Sequence, residues 1–203
     1  MGDVALDRGD LVSSRKRYEE SLDLRNQAGE KQTATESRVS LAKLAIEEGH
    51  ASDAEASVRG CKEQFHSEQQ ADDELSASIV LIDALLAEGK QDAAQTEMEA
   101  AQQLGNASQN LYLRLQFELS SGRVLLASDH PDTSRPLLQR VADDANRHGF
   151  VGLELADKLA LAQLSNKTKH VSQAQLELHA LQKSATSKGF GLIVRKAHQG
   201  GSS

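Results

Sequence analysis

Residues 39–61 read VSLAKLAIEEGHASDAEASVRGC and residues 79–101 read IVLIDALLAEGKQDAAQTEMEAA. Laid over one another forty residues apart, they place Ile46 on Leu86, Gly49 on Gly89, Ala54 on Ala94, Val58 on Met98 and Cys61 on Ala101. The register runs outward in both directions. Ser14, Ala54, Ala94, Ser134 and Ala174 fall on one line, Tyr18, Val58, Met98, Leu138 and Leu178 on a second, and Ser21, Cys61, Ala101, Val141 and Leu181 on a third. Five copies at a fixed period of this size mark an array of supersecondary units, each burying its apolar face against its neighbours. Leu and Ala are abundant and there are only two prolines and no Trp, so the units are helical. The reading is an all-α α-solenoid of about five antiparallel hairpins, residues 1–197, followed by a disordered tail over 198–203.

Each copy parses as a helix A, a tight turn, a helix B and a second joint. The A-to-B turns fall at Gly9-Asp10, Gly49-His50, Gly89-Lys90, Asp129-His130 and Lys169-His170, where glycine or a small polar residue admits the left-handed backbone that ends a helix. The B-to-A joints fall at Gly29, Gly149 and Gly189, the last two followed by Phe150 and Phe190, the pattern of a Schellman ending with a fold-back near Ala145 or Ala185. Helix A carries two apolar stripes, Val39, Ala42 and Ile46 beside Leu41, Leu44 and Ala45, an arc wide enough for packing on two sides. Helix B is more polar and faces helix A with one small residue, Ala54, Ala94 or Ala174.

Two segments conflict with this frame. Leu111, Leu113, Leu115, Phe117 and Leu119 alternate with polar residues, as do Val151, Leu153 and Leu155, and a period of two is the signal of a half-buried strand. Both occupy helix A slots, so the register decides for helix. Pro131 and Pro136 fall in the fourth helix B, and an interior proline opposes a helix; Thr133 or Ser134 is then expected to cap a late start, making this copy the irregular one. Both ends are incomplete, with a short helix A over Met1 to Arg8 and a partial sixth over Phe190 to Ala197. This predicts that the chain is a segment of a longer protein, or that its ends meet partners or each other.

The net charge of −7 gives no basic footprint for nucleic acid or an anionic membrane. Arg15-Lys16-Arg17 continues into Glu19-Glu20 and reads as (i, i+4) pairing on a solvated face. One cysteine, Cys61, forms no internal disulfide and falls at a core position. With no leader and no apolar run long enough for a bilayer, the cytoplasm is the expected compartment.

The hairpins resemble tetratricopeptide repeats. In that family a glycine precedes helix B, a small residue follows five positions on, a large apolar or aromatic residue four beyond and another small one three beyond. Gly49, Ala54, Val58 and Cys61 keep this spacing, as do Gly89, Ala94, Met98 and Ala101, and Gly9, Ser14, Tyr18 and Ser21. The period of forty exceeds the family's usual ~34 and is similar to the long repeats of bacterial signalling and transcription-regulator proteins. The resemblance implies a right-handed superhelix whose concave, helix-A face holds a peptide or partner domain. Carried onto this register, it puts Glu36, Lys43, Glu47, Ser76, Asp83, Gln116, Arg123 and Gln163 on or near that face. Their mixed charge does not match the basic clamp that some relatives use for C-terminal carboxylates.

No catalytic, cofactor or metal site emerges. His50, His130 and His170 share a turn position but stand a repeat apart, too far to share one ion. Asp72-Asp73-Glu74 opens a helix, where acidic residues suit the dipole. Asp143-Asp144 sits late in a helix and calls for a basic neighbour, Arg140 or Arg147. The sequence therefore predicts a non-catalytic protein-interaction module without cofactor, nucleic acid or membrane partner. The alternative is a regulatory or sensor arm of a larger bacterial signalling protein, with a catalytic role third. Self-association through uncapped ends, near Tyr18 and Leu22, is a further expectation.

Overall fold

A computed structural model describes residues 1–200. Among them the chain is all-helical: α1 (Gly2–Asp7), α2 (Leu11–Ala28), α3 (Lys31–Glu47), α4 (Ala51–Ser67), α5 (Ala71–Ala87), α6 (Gln91–Ala107), α7 (Leu111–Ala127), α8 (Pro131–Arg147), α9 (Val151–Lys167), α10 (Val171–Lys188) and α11 (Gly191–Gly200). Consecutive helices pack on one another as an α-solenoid of hairpins, with α1, α3, α5, α7, α9 and α11 as the A helices. The period-two segments are helical, as the register requires. Leu113, Leu115, Phe117 and Leu119 are all buried, because α7 is packed on two opposite faces, while Arg114, Gln116 and Glu118 between them stay partly exposed. The last helix runs to Gly200, past the Ala197 limit read from sequence; the rest of the expected tail, 201–203, lies outside the described residues.

The joints are more regular than the sequence suggests. A left-handed residue ends a helix at positions 9, 29, 49, 69, 89, 129, 149, 169 and 189, so the backbone repeats every half-copy. At each, the following N–H reaches back to a carbonyl five residues earlier, as in His50 to Ala45 (2.8 Å), Phe150 to Ala145 (2.8 Å) and Phe190 to Ala185 (2.9 Å). Gln69, Asp129 and Lys169 adopt this conformation without being glycine, at φ of 58°, 59° and 65°, each against a penalty of about 1–2 kcal/mol. The exception lies between α6 and α7, where Ser108 is extended and the Asn110 side chain accepts from the Leu113 N–H at 3.2 Å. That joint is the irregular one. The proline-bearing copy is not, correcting the expectation of a late start: α8 begins at Pro131, Pro136 stays inside it, and Thr133 and Ser134 are helical. Pro131 occupies a position whose N–H has no intrahelical partner, and Pro136 forgoes a single bond near the start.

Volume is traded between facing positions within a hairpin. A Cβ on Gly122 would come within 2.5 Å of the Leu138 side chain, and one on Gly2 would overlap the Tyr18 ring. In both hairpins a serine compensates: Ser134 donates to the Gly122 carbonyl at 2.8 Å and Ser14 to the Gly2 carbonyl at 3.1 Å. Elsewhere the same places hold Ala42 with Val58, Ile82 with Met98 and Ala162 with Leu178, so each copy fills its gap by a different division between the two helices.

The two ends meet. α11 packs on α9 and α10 and also touches α1. Gly191 lies so close that a Cβ there would overlap the Arg8 carbonyl. Leu192 joins Leu6, Tyr18 and Leu44 in one buried cluster. Glu47 at the end of α3 pairs with Lys196 (2.5 Å) and Arg195 (3.7 Å). The start of α11 rests on the end of α1, so the path climbs as it turns. The closure also corrects the expected exposure near Tyr18, which is only 6% accessible; Val12 and Leu24, at 83% and 66%, are the large apolar residues of α2 left open.

Candidate functional site

Because the array comes round on itself, the A helices line a half-open central cavity, the lumen. Its volume is about 430 Å³, walled by α3, α5, α7 and α9 and completed by α1 and α11. A wider vestibule of about 720 Å³ opens beside it and shares Ile46, Glu47, Ala87, Arg123 and Lys196 with the lumen wall.

Five of the eight predicted residues come together on the lumen: Lys43, Glu47, Asp83, Gln116 and Arg123. Gln163 joins Glu47 and Arg123 in the vestibule. Lys43, Asp83, Arg123 and Gln163 stand one turn before the ends of α3, α5, α7 and α9, and the forty-residue register is what stacks them. Two residues do not join. Glu36 faces away, pairs with Arg25 at 3.6 Å and lines a separate hollow beside α2, because α1 is too short to bring a neighbouring wall across from it. Ser76 is half-buried on α5, between the buried Leu75 and Ala77, and is not part of the lumen wall.

Sequence reasoning missed the contribution of α11. Lys196 occupies the register place of Glu36, Ser76 and Gln116, so the same transfer would have found it had the last helix been counted as wall. The aromatic residues were missed as well. Tyr112 and Phe150 meet edge to face with centroids 5.1 Å apart, and with Phe190 they line the lumen where α7, α9 and α11 begin. One end of the cavity is thus aromatic and the other charged.

The charges are unequally held. Asp83 accepts from Ser120 Oγ at 3.2 Å and from Arg123 at 3.5 Å. Glu47 is engaged by two cations. Burial pushes the Asp7 carboxyl above the usual range, opposed by Lys43. Behind the wall, Asp157 of α9 is fully buried and neither carboxylate oxygen has a hydrogen-bond partner. Burial raises its pKa to about 8, with Arg123 acting to lower it and Asp143 to raise it further. Its register equivalents are Ser37, Ala77, Phe117 and Ala197, which makes the carboxyl a substitution inside an otherwise apolar or small-residue line.

The remaining sequence candidates resolve into packing and pairing. Asp144 pairs with Arg147 at 2.6 Å, one of the two partners anticipated, while Arg140 goes to Glu118 at 3.0 Å. Asp72, Asp73 and Glu74 open α5. Arg15 pairs with Glu19 (3.3 Å) and also with Glu48 of the next hairpin. Cys61 is buried, and its burial raises the thiol pKa. Among the described residues no three His, Cys, Asp or Glu side chains converge to hold a metal, and no helix is long and apolar enough to cross a membrane.

No protein-family model matches the sequence, and no curated protein is significantly similar to it.

Proposed function

We propose that the chain is a non-catalytic binding module that takes a peptide or a slender segment of a partner protein on the inner wall formed by its A helices. The observation that carries this reading is the gathering of Lys43, Glu47, Asp83, Gln116 and Arg123, contributed by three successive A helices, on a single lumen. Such convergent polar groups over apolar side chains are how concave sites orient a ligand. The resemblance to tetratricopeptide repeats supports it, since family members use this face. The test is a peptide-display selection on the intact chain, followed by affinity measurements on Lys43→Glu and Arg123→Glu. Selected peptides should lose about tenfold or more in affinity, the worth of one charge-assisted contact. Peptides that bind both variants as well as the parent refute it.

One observation favours a second reading, a regulatory arm that receives a small effector. Closure by α11 leaves about 430 Å³, a volume suited to a small molecule and too narrow for a folded domain.

A further inference from the structure

We propose that the lumen binds an amphipathic organic anion, a carboxylate or sulfonate carried on an apolar body of two or three rings. The proposal rests on the small-effector reading and adds the ligand's chemistry.

The shape of the cavity sets the apolar body. Tyr112, Phe150 and Phe190 gather at one end, with Ile79 and Leu119 further along the wall. Flat ring systems pack edge to face or offset against such side chains. The volume of about 430 Å³ falls at the small end of the range that ligand pockets occupy.

The sign of the head group follows from which charges are already answered. Lys43 is exposed, lines the lumen and makes no ion pair among the described residues. Arg123 has one ion-pair contact, to Asp83 at the long distance of 3.5 Å, while Asp83 is also served by Ser120. Glu47 is neutralised by Arg195 and Lys196 together. The third carboxyl on the wall, Asp7, lies in the field of Lys43, which opposes the rise that desolvation gives its pKa. An arriving cation would find Glu47 and Asp83 already engaged and Asp7 already in the field of Lys43. An arriving anion would find an ammonium in no direct ion pair among the described residues and a guanidinium with donors to spare. The vestibule, which shares Arg123 and Lys196 with the lumen, offers the way in.

The experiment compares two probes with the same rings, 8-anilinonaphthalene-1-sulfonate and its sulfonate-free parent N-phenyl-1-naphthylamine, by fluorescence titration on the intact chain. One equivalent of the sulfonate should bind, about tenfold or more tighter than the parent. Lys43→Ala and Arg123→Ala should each remove most of that preference and leave the parent's affinity unchanged. Gln116→Phe pushes a ring into the lumen and should weaken binding of both. Ala87→Phe, at the junction with the vestibule on an exposed helix end, is a second plug should the first fail to fold. Equal binding of the two probes, blocked by a plug, would refute the anionic head group and leave the small-effector reading standing. Sulfonate binding that ignores both plugs, or no binding of either probe, would overturn the site and that reading together.

Discussion

Replacing Asp157 by Ala, the residue that two other copies carry at this place, should stabilise the protein at neutral pH and flatten its pH dependence. The carboxyl has an ordinary value of 3.8 and is held at about 8 in the fold. Between those values the unfolded chain releases a proton that the folded chain keeps, so the folded state binds more protons and stability falls as pH rises. Each pH unit costs about 1.4 kcal/mol, and the interval from 3.8 to 7 gives a penalty of about 4 kcal/mol, an order-of-magnitude upper figure. Trimming to Ala also removes a few packed atoms, worth about 1 kcal/mol in the opposite sense. The net expectation is a gain of about 3 kcal/mol at pH 7, shrinking toward pH 4. Urea unfolding of both chains at half-unit steps from pH 4.5 to 8 measures this directly. The two stability curves should diverge steadily through that window as the parent loses ground. Parallel curves would show that Asp157 does not carry its proton into the fold, and the assignment of a neutral, buried acid would be wrong.

Further outcomes follow from the packing. Gly122→Ala gains helix propensity but drives a methyl into Leu138, at 2.5 Å; the clash should win, with a loss of about 1–3 kcal/mol by thermal or urea unfolding. Ala94→Leu places a larger side chain at a fully buried contact and should cost a similar ~1–3 kcal/mol. Glu47→Lys sets three cations together where Glu47 now joins Arg195 and Lys196; amide exchange in 191–200 should quicken, and adding Lys196→Glu should restore protection. Unchanged exchange in the single variant would show that these pairs do not hold the closure.

The hairpin architecture is legible in the sequence because it depends on local rules that recur: a small residue at Ala54 and Ala94, a large one at Val58 and Met98, a glycine at Gly49 and Gly89. The helicity of 111–119 was recoverable only through that register, since a helix buried on several sides shows no single apolar stripe. Gln69 was not legible as a joint, because nothing in its side chain advertises a positive φ. The wall residues Lys43, Asp83 and Arg123 could be placed together from their spacing alone. Glu36 and Ser76 failed the same transfer because the register specifies a position along a helix and not what stands opposite it. That depends on the angle between successive hairpins, the sum of contacts such as Gly152 with Phe190 and Phe117 with Gly105, which no single segment encodes. For the same reason the return of α11 to α1 was only one of several outcomes the ends allowed.

The contact of Gly191 with Arg8 ties α11 to α1 across the array. Five copies separate the two helices that touch, α1 and α11. An open stack can gain or lose a unit by duplication or deletion and keep working. Here a copy inserted between α1 and α11 would carry α11 past its seat on α1, and a copy deleted would leave it short. Loosening of either helix would here unseat both α1 and α11, tying the integrity of the inner chamber to the weaker of the two.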